Sequence, residues 1–257
     1  LVHSPGITPS SGLNAGALVY VDMEAMRVVS VDAASKAVTV VRGVFDSTAV
    51  SHSINAEVVI NPRFSPLDIF DAMLDEIASY GPQLFWVDST ELAVTAADDT
   101  ISLPTTWNDA YGLLDVRQKA TNSDVLNWPR AKVRHQRGTT NWTSNGGASL
   151  LRFTDTQRDG TLFVVAARPF VITGLGAASD LVTDAKLWES LLDVVSMGIN
   201  IRLIHDGETA RSARTVQDEP RRTEEVPVGA MTQPMQYNTQ VYRMRKQEEI
   251  NKLRSQW

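Results

Sequence analysis

Acidic side chains recur along one short segment and are the first residues to consider for acid–base chemistry. Asp68, Asp71, Asp75 and Glu76 all fall there. Two carboxyl groups can act as general acid and general base when one of them lies in a perturbing pocket. Helical spacing places apolar residues on the opposite side of this segment, so a solvated acidic face is the favoured interpretation.

The histidines do not form a metal-binding pattern. His3, His52, His135 and His205 are scattered, and the chain contains no cysteine. Zinc sites use short, defined spacings between His and Cys ligands. We therefore predict no metal and no cofactor. His52 ends the segment 48–52, whose Ser and Thr hydroxyls are expected to bond the local backbone.

Two other patterns fall short of a ligand site. Gly174-Leu175-Gly176 matches part of a phosphate loop but lacks its Lys-Ser/Thr ending, which favours a flexible connection. Trp107, Trp128, Trp142 and Trp188 are more typical of core or interface anchors than of a base-stacking platform.

One stretch concentrates positive charge: Arg130, Lys132, Arg134 and Arg137. On a strand, Lys132 and Arg134 share a face. Two interpretations stay open. The charges protect an exposed strand against edge pairing, or they face a phosphate backbone or an acidic neighbour.

Composition narrows the class of protein. The 257 residues carry a net charge of -6, with 43% hydrophobic and 21% charged residues, so a packed core is expected. A mildly acidic chain is a poor candidate for gripping nucleic acid over its whole surface. We expect no secretory signal, because the segment 1–11 is short and carries Pro5 and Pro9. We also expect a soluble protein, because the most apolar run, 187–204, is interrupted by charged residues.

The first half of the chain predicts a β-module followed by a helix. Within 1–64, an N-terminal arm precedes β-branched runs separated by turn residues, which are typical of short strands. Within 65–83 we predict a linking helix over 66–79, with Ser65 as N-cap and Pro66 at the first helical position. Its apolar stripe is Ile69, Phe70, Met73, Leu74 and Ile77.

The second half predicts a central β-region and two helices, giving an α+β fold. Residues 84–178 read as a β-sandwich-like domain. A helix apolar on more than one face is predicted over 180–205, within a segment 179–206. Residues 207–257 are predicted to form an extended, proline-punctuated tail ending in a helix over 241–253. The predicted central strands are 84–87, 91–95, 100–103, 112–118, 131–136, 149–153 and 161–167.

Six runs of the sequence carry a family likeness. Four are N-terminal: Gly16-Ala17-Leu18-Val19-Tyr20-Val21, Met26-Arg27-Val28, Val40-Val41-Arg42-Gly43 and Ser47-Thr48-Ala49-Val50-Ser51-His52. Two come later: Asn61-Pro62-Arg63-Phe64 and Pro220-Arg221-Arg222-Thr223-Glu224-Glu225-Val226-Pro227. The N-terminal runs resemble a small β-module of structural proteins of tailed bacteriophages, and the later ones resemble head-to-tail connector (adaptor) proteins of actinobacterial phages. Val44-Phe45-Asp46 departs from that pattern, where a more glycine-rich turn is expected.

The resemblance implies a virion structural protein and not an enzyme. The expected assembly is a closed homo-oligomeric ring of about twelve subunits with heterologous contacts. It would sit in the neck at the head–tail junction, between the portal protein and the next neck or tail protein, after assembly in the host cytoplasm. It would line the channel through which DNA leaves, with transient DNA proximity and no membrane contact. An acidic chain suits such a channel, because like charges do not retain passing phosphates.

The tail is the segment expected to bind the portal or a neighbouring subunit. We expect its deletion to leave a folded core that no longer assembles. Two alternatives stay open: a baseplate or other tail structural protein, and a tail-associated glycan hydrolase that uses carboxylates of the central β-region. The residues expected to contact a partner are Arg221, Arg222, Tyr242, Ile250, Leu253 and Trp257.

Overall fold

The computed structural model describes most of the chain and has an α+β fold. Among the described residues there are three α-helices and three antiparallel sheets. The chain divides into two compact units: 1–76, 174–179 and 195–242 form the first, and 77–173, 180–194 and 243–257 the second. The described residues are 2–3, 13–32, 34–95, 98–119, 128–136, 149–154, 159–176, 178–215 and 232–256.

A five-stranded antiparallel sheet forms the first unit's β-module, in the order β1-β4-β3-β2-β5. The β2–β3 hairpin turns at Asp22, whose φ of 53° lies in the left-handed region. Between β3 and β4 the register shifts around Val29. The strands are β1 (Val2–His3), β2 (Leu18–Val21), β3 (Glu24–Asp32), β4 (Ala37–Val41) and β5 (Val58–Ile60).

One face of this sheet makes a small apolar core. Val19, Val21, Met26, Val28 and Val38 are all buried. In the middle of β3, the buried Met26 and Val28 alternate with the exposed Arg27 and Val29, as expected of a strand with one buried face.

Helix α1 (Pro66–Ala78) begins where the sequence predicted. The Ser65 hydroxyl accepts a hydrogen bond from the backbone N–H of Asp68 at 3.0 Å, and the Asp68 carboxylate accepts one from the N–H of Ser65 at 3.1 Å. This reciprocal cap satisfies two otherwise unpaired donors. The predicted apolar stripe is wrong at Ile69, which is 42% exposed.

The second unit contains two three-stranded antiparallel sheets, ordered β6-β11-β8 and β7-β10-β9. Buried residues of both sheets, including Leu151 and Leu162, belong to one apolar cluster around Trp107. The strands are β6 (Trp86–Val94), β7 (Thr100–Ser102), β8 (Gly112–Gln118), β9 (Val133–Gln136), β10 (Leu150–Phe153) and β11 (Gly160–Arg168).

The predicted strands 84–87 and 91–95 are one continuous strand. Asp88-Ser89-Thr90 fell between the two predicted strands, but all three residues pair with β11. The Asp88 carboxylate accepts hydrogen bonds from the Trp107 indole at 2.7 Å and from Arg168 at 3.0 Å. These partners satisfy a polar residue that would otherwise favour a turn.

The helix predicted over 180–205 begins later and ends later. Residues 180–184 form a turn in which the Asp180 carboxylate accepts the N–H of Val182, and Lys186 has a φ of 64°. A short 3₁₀ helix (Glu189–Leu191) then leads into α2 (Leu192–Thr215). Gly207 therefore does not end the helix, since a single interior glycine costs only about 1 kcal/mol.

The tail predicted over 207–257 is helical at both ends. Helix α2 extends into this segment as far as Thr215. Helix α3 (Thr232–Gln256) is longer than the predicted helix over 241–253. Residues 216–231 lie outside the described residues. No helix in the described part of the chain is long and apolar enough to cross a membrane.

Candidate functional site

The acidic segment of α1 divides into exposed and buried carboxylates. Asp68, Asp71 and Asp75 are exposed, as predicted for a solvated face, and line a cavity of about 710 Å³ in the first unit together with Arg202 and His205. Exposed carboxylates opposite an apolar stripe are typical of the solvated side of a helix.

Glu76 does not belong to that solvated face. It is only 2% exposed and accepts a hydrogen bond from Arg202 Nε at 2.8 Å and another from the Tyr242 hydroxyl. A Cβ atom on Gly198 would lie 2.3 Å from the Glu76 carboxyl carbon. Glycine at 198 therefore makes room for a buried carboxylate, whose paired environment is structural.

A compact set of charged groups in the first unit surrounds Glu24 on β3. The Glu24 side chain has 0% exposure and accepts hydrogen bonds from two nitrogens of the Arg42 guanidinium, Nη2 and, at 2.7 Å, Nε. The backbone N–H of Val50 donates to the same carboxylate at 3.1 Å. The hydrogen bonds from Arg42, opposed by burial, lower the pKa of Glu24 to about 2. A buried charge is tolerated because it is fully paired.

His52 bridges Glu24 to a second carboxylate. Its Nδ1 atom lies 2.7 Å from Asp22 Oδ2, and its Nε2 atom lies 2.8 Å from Glu24 Oε2. Burial alone would lower the pKa of His52, but the hydrogen bonds to Asp22 and Glu24 outweigh it and raise the pKa. The imidazolium form can donate through both nitrogens at once. We call Asp22, Glu24, Arg42 and His52 the ion cluster.

Next to the ion cluster, the chain turns through two residues with left-handed backbones. Phe45 and Asp46 have φ values of 53° and 59°. The Ser47 N–H bonds the Val44 carbonyl at 3.2 Å, and the Ser47 hydroxyl accepts the Ala25 N–H at 2.9 Å. Positive φ at both central positions defines a turn that usually employs glycine or asparagine. A phenylalanine there is strained and needs its surroundings to hold it.

The loop held by these contacts exposes apolar side chains. Phe45 is 58% exposed, Val50 46% and Ile54 90%. We call these three residues the apolar loop. The ion cluster ties the loop's backbone at Val50, where the Arg42 guanidinium donates to the carbonyl. Apolar side chains on a backbone held by an ion cluster can bind another protein without a large ordering cost.

The residues predicted to bind a partner have different outcomes. Ile250 and Leu253 are buried within this chain, at 3% and 6% exposure, so their side chains are not available to a partner in this conformation. Tyr242 is half-buried and donates to Glu76. Arg221, Arg222 and Trp257 lie outside the described residues.

The second half of α3 is held within the second unit by Glu249. This carboxylate is 4% exposed and accepts hydrogen bonds from the Trp188 indole at 3.0 Å and the Ser190 hydroxyl at 2.8 Å. Burial opposes the shift, but the hydrogen bonds from Lys252, Ser190 and Trp188 together lower the pKa of Glu249. The end of the predicted tail is therefore an integral part of this unit.

The predicted basic patch is only partly assembled. The Arg130 side chain is 77% exposed, and its Nε lies 3.4 Å from Asp115, which also pairs with Arg117 at 2.6 Å. Lys132 and Arg134 are exposed, and Arg137 lies outside the described residues. Sequence reasoning missed Arg152 of β10, which lies directly opposite Arg134 of β9 in the strand register.

Comparison with protein-family models and with curated protein sequences finds no match for the chain. In the described part of the chain, no group of three or more His, Cys, Asp or Glu residues is placed to hold a metal ion.

Sequence reasoning also missed the ion cluster, because its members are up to 30 residues apart and no short motif links them. One signal was present in the sequence. Phe45 and Asp46 stand where a glycine-rich turn was expected, and such a turn needs contacts from outside itself.

Proposed function

We propose that the protein is a virion structural protein, a head-to-tail adaptor that forms a ring between portal and tail. Its resemblance to phage β-modules and connectors motivates the proposal, and the apolar loop supports an assembly role. In this proposal the ring subunits are held by heterologous contacts, in which two different patches of the same chain meet.

The observation that carries the proposal is the exposure of Ile54, two residues from His52 of the ion cluster. A side chain of this size with 90% of its surface exposed gains free energy when another protein covers it, about 25 cal/mol for each Å² buried. Phe45 and Val50 extend the same apolar loop. A carboxylate introduced among these side chains would have to be desolvated in the interface.

The experiment compares Ile54→Glu with Ile69→Glu. Both isoleucines are exposed residues of the first unit, but Ile69 lies on α1, outside the apolar loop. Native mass spectrometry and co-sedimentation with portal protein report assembly. We expect Ile54→Glu to abolish the oligomer or its portal complex while Ile69→Glu assembles like the parent. Equal assembly of both variants contradicts the role given to the loop.

The alternative is a baseplate or other tail structural protein that uses the same apolar loop. It differs in its partner, because only a neck adaptor should bind isolated portal protein. The comparison of Ile54→Glu with Ile69→Glu therefore tests whether the apolar loop is an interface. Co-sedimentation with portal protein tests the position of the protein in the virion.

A further inference from the structure

Two arginines face each other on the exposed side of the sheet β7-β10-β9. Arg134 of β9 and Arg152 of β10 are register partners, so their side chains emerge from the same face at directly opposed positions. Both residues are exposed. Like charges at such positions repel each other, so this arrangement lowers the stability of the sheet.

Neither arginine is neutralised by the described part of the protein. No described carboxylate lies within ion-pair distance of Arg134 or Arg152, whereas Arg42, Arg168 and Arg245 all form ion pairs. The chain has 30 acidic and 24 basic residues, so carboxylates are not scarce. Carboxylates are therefore available in the chain, but in its described part none pairs with either of these two arginines.

Protection against edge pairing explains only half of this arrangement. Strand β9 lies at the edge of the sheet, where a charge such as Arg134 discourages pairing with another chain. Strand β10 is central, with β7 on one side and β9 on the other, and has no free edge. Protection of a sheet edge therefore does not explain the exposed charge of Arg152.

Lys132 extends the positive face. The N–H and the hydroxyl of Thr154 both donate to the Lys132 carbonyl at 3.0 Å, so the pairing of the two strands continues past β9. Alternate residues of a strand share a face, which places Lys132 beside Arg134. Arg130 is less suitable, because Asp115 offsets its charge.

We infer that this face binds the phosphate backbone of DNA through Arg134 and Arg152. Guanidinium groups match phosphate oxygens in geometry and charge, and a phosphate between two arginines relieves their repulsion. A contact made only to phosphate oxygens does not depend on base sequence. The inference rests on the proposed function, which brings DNA past the protein.

The test measures binding of a short fluorescein-labelled DNA duplex to the full chain over about 50 to 200 mM salt. The variant is Arg134→Gln/Arg152→Gln, and the matched control is Arg243→Gln/Arg254→Gln, which removes the same charge from exposed positions of α3. We expect only the former to weaken binding, about tenfold at the lower salt, with a slope of log K against log salt smaller by about 2.

A second readout tests whether the two arginines repel each other in the folded protein. The melting temperature of Arg134→Gln/Arg152→Gln should rise above the parent's at low salt, and high salt should remove the difference. An absence of DNA binding by the parent, or an equal loss in both variants, overturns the inference. Displacement of DNA by polyglutamate at equal charge concentration also overturns it. If Arg134→Gln/Arg152→Gln loses DNA binding but still forms a ring, the adaptor proposal is unaffected.

Discussion

The Nε2 atom of His52 lies 2.8 Å from Oε2 of Glu24, a carboxylate with no exposed side-chain surface. Arg42 binds the same carboxylate, and Asp22 binds the other nitrogen of the imidazole. The relationship joins the β2–β3 hairpin to the loop that carries Phe45, Val50 and Ile54. A change in the protonation of His52 or Glu24 therefore alters the contacts that hold the apolar loop.

The ion cluster predicts a window of maximal stability. The pKa of His52 is raised, so its contribution is complete below its ordinary value of 6.5 and is lost as the pH rises through the folded value. The pKa of Glu24 is lowered from 4.5 to about 2, so its contribution is complete above 4.5 and is lost as the pH falls towards 2. Denaturation across pH should show the largest advantage of the parent over His52→Gln between 4.5 and 6.5. A constant difference from pH 5 to pH 9 contradicts this assignment.

Neutralising Glu24 should cost more than neutralising Asp22. Glu24→Gln leaves Arg42 and His52 without their buried partner, and we expect a loss of about 2–3 kcal/mol of unfolding free energy, since Arg42 is partly exposed. The control, Asp22→Asn, removes a carboxylate that is 55% exposed and should cost less than about 1 kcal/mol. Urea denaturation at pH 6 measures both changes. Equal losses would show that burial of Glu24 does not matter.

Gly198→Ala should be destabilising through Glu76. The added methyl group would lie 2.3 Å from the carboxyl carbon, so the side chain must move away from Arg202 and Tyr242. We expect a loss of about 2–3 kcal/mol, the cost of leaving buried polar groups unpaired. In a Glu76→Ala background these contacts with the carboxyl group are removed, and the same substitution should cost much less. A double-mutant cycle measures the coupling, and simple additivity would refute it.

Leu253→Ala should destabilise the second unit. The side chain is 6% exposed, and loss of a buried leucine side chain costs about 2–5 kcal/mol. Met244→Ala on the same helix is the control, because Met244 is 58% exposed and should change stability by less than about 0.5 kcal/mol. Chemical denaturation measures both. This result would replace the sequence-based expectation that the tail can be deleted without loss of a folded core, whereas unaffected stability would restore it.

Sequence reasoning succeeded where local chemistry decides the structure. Ser65 and Pro66 predicted the start of α1, and 112–118 was predicted with both of its ends correct. It failed where a distant partner decides. Asp88 fell between two predicted strands, but it lies within one strand, where Trp107 and Arg168 donate hydrogen bonds to its carboxylate.

The buried charges show the same limit. Glu76 and Glu24 are indistinguishable in sequence from exposed glutamates, and only Arg202 and Arg42, brought close by folding, explain their burial. The apolar loop was equally hidden, since a strained turn at Phe45 becomes stable only through contacts made elsewhere. Long-range pairing is the information that residue order alone did not supply.

The most direct test of the adaptor proposal is native mass spectrometry of the full chain, first alone and then mixed with portal protein. The proposal predicts a closed oligomer, or one that forms on the portal, and its loss in Ile54→Glu. A strict monomer that ignores the portal would contradict the proposal and move the protein to another position in the tail.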